Sequence, residues 1–172
     1  ILLSVGSTAD GLGGIISIKA GKTSTQTGGS ISLTSGVGTE TSSGFINLRS
    51  ADAGKNGVSG SLVFASGVST DGESGAISIS SGDSTGGASG AISLQAGVGK
   101  GTGAAVLLNA GNTVDSTGGS ITLMSGVSTE TSSGSINLQT SDSGKDGVSG
   151  PITLTTGNAQ KGSGGSILLS VG

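Results

Sequence analysis

Ten acidic and seven basic residues, no His and no Cys are all that 172 residues offer for acid, base, nucleophilic or metal chemistry. A hydroxyl nucleophile needs a base to take its proton, and without His the usual Ser- or Cys-centred arrangements fail. The absence of Cys also removes disulfides and thiolate metal sites. Carboxylate catalysis needs acids gathered at one place. Here Asp10, Asp71, Asp83 and Asp115 fall singly in separate polar stretches. The sequence predicts no enzyme and no cofactor.

Two short patterns remain. Gly21-Lys22-Thr23 matches the end of a phosphate-binding loop, but that loop requires Gly where this chain has Ile16. Asp52-Ala53-Gly54-Lys55-Asn56-Gly57 and Asp142-Ser143-Gly144-Lys145-Asp146-Gly147 place oxygen ligands at alternate positions ahead of Gly, as calcium loops do. Asp52, Asn56, Asp142 and Asp146 are therefore weak calcium candidates. The middle ligand is Gly, a Lys intrudes and no bidentate acid follows, so an Asp/Asn-Gly turn is the competing expectation.

The elements that would hold such residues are set by a repeat. Its unit is small-Gly-x-Φ-x-Φ-x-small-Gly, where Φ is a large apolar residue, followed by a polar arc. The paired Φ positions are Ile16/Ile18, Ile31/Leu33, Ile46/Leu48, Leu62/Phe64, Ile77/Ile79, Ile92/Leu94, Val106/Leu108, Ile121/Leu123, Ile136/Leu138, Ile152/Leu154 and Ile167/Leu169. Ile1/Leu3 opens the series, and the usual step is 15 residues. Alternation with period 2 places both Φ residues and the following small residue on one face of a strand. Stacked from coil to coil, the pairs are expected to form an inward structural ladder. Gly at both ends suits corners that need positive φ or close approach.

A polar connection too long for a tight hairpin and too polar for a crossover helix predicts winding that returns each strand onto the last. The expected fold is all-β. It is a single parallel β-solenoid (β-helix) of about 11–12 coils, ~15 residues each, with strands ~4.8 Å apart. The domain expectation is one continuous segment, 1–172. Winding of either hand fits such coils, and 37–41 and 127–131 are candidates for a second strand within an arc.

A longer period sits above the first. Positions 28–60 and 118–150 are identical at 24 of 33 places, at an offset of 90 residues, so six coils form a super-repeat. The opening Ile-Leu-Leu-Ser-Val-Gly recurs as 167–172, which predicts a longer tandem array.

Composition narrows the function. Gly numbers 37, aromatics make up 1% and the net charge is −3, with basic residues dispersed. That distribution gives no footprint for nucleic acid. No apolar run reaches a membrane span. Outward apolar positions (Leu2, Ile15, Phe45, Val63, Leu107, Met124, Leu168) form a candidate lateral seam between molecules. Thr-x-Thr, the pattern of an ice-binding face, occurs only once at the outward strand positions, at Thr153/Thr155.

Through Gly-x-Ile-x-Leu-x-Ser-Gly the chain resembles the Gly/Ser/Thr-rich β-solenoid repeats of long secreted microbial and algal surface proteins. That resemblance implies an extracellular or cell-surface setting, passive mechanical work and self-association. The expected function is a structural segment of a fibre, filament or stalk, copies joining end to end by strand stacking. The partner is the chain itself, with glycans as a further class. The alternative is a surface-binding module, an adhesin or ice-binding solenoid, using a flat Ser/Thr/Asn face.

Overall fold

The computed structural model describes all residues, Ile1–Gly172. They fall into two units, Ile1–Ser80 and Ser81–Gly172. Neither unit contains a helix or a β-strand; both are built from irregular chain punctuated by bends and two hydrogen-bonded turns. The expected all-β parallel solenoid is therefore not the fold of this chain. The candidate second strands at 37–41 and 127–131 are likewise irregular, closing in bends.

The backbone shows why. Only six backbone–backbone hydrogen bonds form, and none joins residues one repeat apart. A folded chain of this length ordinarily makes about one internal hydrogen bond per residue, two-thirds of them between backbone groups. Four of the six close an arc on itself: Gly29 N donates to Gly21 O, Gly44 N to Gly36 O, Gly119 N to Gly111 O and Gly134 N to Gly126 O, each at 2.9 Å. The corner is thus satisfied locally, eight residues along. That closure does not lay the next Φ-x-Φ segment on the previous one.

Glycine at these corners answers to crowding. Positive φ occurs only at Gly72 (134°), inside an arc, so of the two expected reasons for corner Gly, positive φ is absent and close approach remains. A Cβ on Gly29 would sit 3.2 Å from Gly21 N and 3.3 Å from Ala20 Cβ; on Gly119 it would sit 3.1 Å from Gly111 N. At these two necks an added side chain would have to push its neighbours aside, whereas at Gly44 and Gly134 the nearest contact would be 3.4 Å.

No residue is buried. The exposed area is 17214 Å², whereas scaling laws give ~7,400 Å² for a folded monomer of this mass and ~23,000 Å² for its unfolded chain. The most enclosed residues are only partly covered. Five of them, Ser35, Ser50, Ala96, Ala110 and Thr140, hold the small position after the second Φ.

The inward structural ladder is corrected with the fold. In the first unit Ile16, Ile18, Ile31, Leu33, Ile46, Leu48, Leu62, Phe64, Ile77 and Ile79 are all exposed. In the second, the same holds for Ile92, Leu94, Val106, Leu108, Ile121, Leu123, Ile136, Leu138, Ile152, Leu154, Ile167 and Leu169. Leu48, Leu123, Leu138 and Leu154, expected inside a stacked core, keep between 55% and 66% of their surface in water. The reason is the missing coil-to-coil pairing. An aliphatic row becomes a core only when a neighbouring layer covers it, and no backbone bond holds such a layer in place.

The paired and the outward positions nevertheless differ in exposure. Among the pairs the exposed fraction runs from 47% at Ile16 to 71% at Leu94, with Leu169 in the last repeat at 84%. Large apolar residues at outward and arc positions are higher, from 75% at Val63 to 100% at Val98. From Ile16/Ile18 onward the first Φ of each pair is more covered than the second, as at Ile92/Leu94. Side-chain alternation is thus present without strand pairing.

Candidate functional site

The calcium candidates lie on turns. Gly57 N donates to Gly54 O at 3.1 Å and Gly147 N to Gly144 O at 3.3 Å, so each hexapeptide bends through Lys55-Asn56 or Lys145-Asp146. This is the hydrogen-bond pattern of a β-turn, which Asp/Asn-Gly sequences favour. No three acidic side chains converge anywhere. Asp52 instead faces Arg49 at 3.9 Å, both side chains well exposed. Gln139 stands in place of Arg49 one super-repeat on, so that pair does not recur.

Gly21-Lys22-Thr23 is likewise engaged with its own chain. Thr23 Oγ1 accepts from Gln26 N at 3.3 Å and from Thr25 N at 3.4 Å, while Gly21 O accepts from Gly29 N. These amides close a turn, whereas a phosphate loop turns its amides towards the ligand. No enclosed pocket forms on the chain, and no helix is long and apolar enough to cross a membrane.

One recurrent device escaped the sequence reading. A hydroxyl placed two residues after the corner Gly accepts from the amide three residues further on. Thr23 Oγ1 accepts from Gln26 N, Ser84 Oγ from Gly87 N at 3.1 Å, and Ser128 Oγ from Thr131 N at 2.8 Å. Ser128 Oγ also accepts from Glu130 N at 3.3 Å and lies 3.0 Å from Thr131 Oγ1. Thr8 and Ser69 stand at the same place, their hydroxyls 3.3 Å and 3.7 Å from where a Cβ would project at Gly11 and Gly72. The signal was Gly-x-Ser/Thr at the head of the arc. Short hydroxyl side chains bond to nearby backbone in this way and organise turns. Their effect here is to occupy arc hydroxyls with intrachain bonds.

What remains available is apolar. The paired aliphatic residues form a half-exposed tier, Ile16 to Ile79 in the first unit and Ile92 to Leu169 in the second. The outward seam candidates, Phe45, Leu107 and Met124 among them, are more exposed still. No ionisable residue sits in or beside the Φ-x-Φ segments except Lys19 and Arg49, and all ten acids lie in the arcs. The surface suits contact with another apolar face. Comparison with protein-family models, with curated proteins and with solved structures finds no match to this chain.

Proposed function

We propose that this chain is a structural, non-enzymatic segment of an extracellular fibre, filament or stalk, its partner being further copies of itself. The observation that supports this reading is the repeated aliphatic tier left half-exposed in a chain that exposes 17214 Å². Apolar surface left in water is the main driving force for association, and contiguous exposed patches mark interaction sites. A chain with no buried residue has little to hold it as an isolated globule. Neighbouring molecules supply what the interior does not.

The alternative of a binding module with a flat hydroxyl face finds less support. Thr-x-Thr occurs at the outward positions of the Φ-x-Φ segments only at Thr153/Thr155.

Electron microscopy of native material labelled with an antibody to this segment tests the reading. Label along extracellular filaments is the expected result. Soluble, dispersed molecules that bind a glycan or an ice surface would replace the proposal with the binding-module reading.

A further inference from the structure

We infer that the aliphatic tier itself is the surface on which a second copy of this chain seats, with backbone pairing made between chains. This rests on the reading of the segment as self-associating and names the surface and the partner.

Four observations carry it. The tier is regular: Ile31, Ile46, Ile77, Ile121 and Ile136 all lie between 49% and 55% exposed, so every repeat offers nearly the same half-covered aliphatic. Its area is adequate. A large aliphatic side chain holds on the order of 100 Å² that burial removes from water. With about half of that left, the tier amounts to on the order of 500 Å² in each unit, so a copy that engages the tier of both units meets the ~800 Å² per partner of a standard interface.

Charge is nearly absent from it. Acidic residues lie wholly in the arcs, and two cations are too few to oppose the approach of an identical face. Finally, the backbone of the Φ-x-Φ segments makes no bond to other backbone, the six bonds falling at arc necks and turns. Unpaired donors and acceptors in β-branched, uncharged segments are a template for another chain. A second copy presents apolar pairs at the same 15-residue step and the same 90-residue super-repeat, and so matches the tier repeat for repeat.

The test takes the full 172-residue chain through sedimentation equilibrium and amide infrared spectroscopy across a concentration series. Association accompanied by a rise in strand signal is the expected result. The double variant Ile77→Ser/Ile79→Ser should raise the midpoint concentration about tenfold or more, since covering the exposed half of each aliphatic contributes about half a decade to one decade. Val98→Ser, in an arc, should leave it unchanged. A chain that stays monomeric and gains strand signal has covered its own tier, and overturns the inference. So does association insensitive to Ile77→Ser/Ile79→Ser, or binding to phosphatidylcholine vesicles in preference to itself. Filaments in native material together with any of those outcomes would leave the structural role standing and remove only this interface.

Discussion

Gly29 donates its amide to the carbonyl of Gly21 at 2.9 Å, and the same bond recurs 90 residues later between Gly119 and Gly111. Gly44–Gly36 and Gly57–Gly54 are matched in turn by Gly134–Gly126 and Gly147–Gly144. All six backbone bonds are thus three bonds written twice. The super-repeat is a repeat of hydrogen bonding as well as of letters, and the neck of the arc is its most reproducible feature.

Gly29→Val should open that neck. The new Cβ would crowd Gly21 N and Ala20 Cβ, and overpacking of this kind costs ~1–3 kcal/mol. Hydrogen exchange at the residue-29 amide should accelerate about tenfold or more, in line with that cost. Gly6→Ala, where a Cβ meets nothing within 4 Å, is the control. Equal exchange in both variants would mean that the neck does not depend on glycine.

Ser128→Ala should loosen the arc that follows Gly126. It removes the acceptor for Thr131 N and Glu130 N, each ordinary hydrogen bond being worth ~0.5–1.5 kcal/mol. The Thr131 amide should exchange several-fold faster, and Ser128→Thr should restore it. Unchanged protection in Ser128→Ala would show that the hydroxyl is incidental.

Calcium should be without effect. The hexapeptides around Asp52 and Asp142 bend through Gly54–Gly57 and Gly144–Gly147 bonds that need no ion. Titration calorimetry at millimolar Ca²⁺ should give no binding heat, and Asp142→Asn should leave the trace unaltered. A saturable heat abolished by Asp142→Asn would restore the ion site.

Arg49→Gln should be silent at physiological salt. Its pair with Asp52 is long at 3.9 Å and exposed, conditions under which ion pairs contribute little. Position 139 already carries Gln. A marked loss of association in this variant, read by sedimentation equilibrium, would point to a role for Arg49 between chains.

Much of this was legible in the residues, and the boundary of legibility is physical. Alternation at Leu62-Val63-Phe64 and Val106-Leu107-Leu108 told which side chains share a face, and the middle residue of each triplet is the most exposed. Side-chain direction follows from the local backbone, so a local pattern suffices. The corners were legible for the same reason: of the two causes that suit Gly there, positive φ and close approach, Gly29 and Gly119 show close approach, with no positive φ at either.

Pairing was not legible. Whether Ile31-Ser32-Leu33 lies against Ile16-Ser17-Ile18 depends on how a neck closes and on a loop-closure cost that only extensive stacking offsets. The same dependence explains why Leu48 and its counterpart Leu138, placed on the correct face, are nonetheless left uncovered. Period, faces and the 90-residue recurrence belong to the sequence by itself. That four of the arcs close on themselves and that the aliphatic tier stays half in water was decided by tertiary structure, because the Gly–Gly bonds at those necks satisfy their corners without a neighbouring coil and no backbone bond joins one repeat to the next.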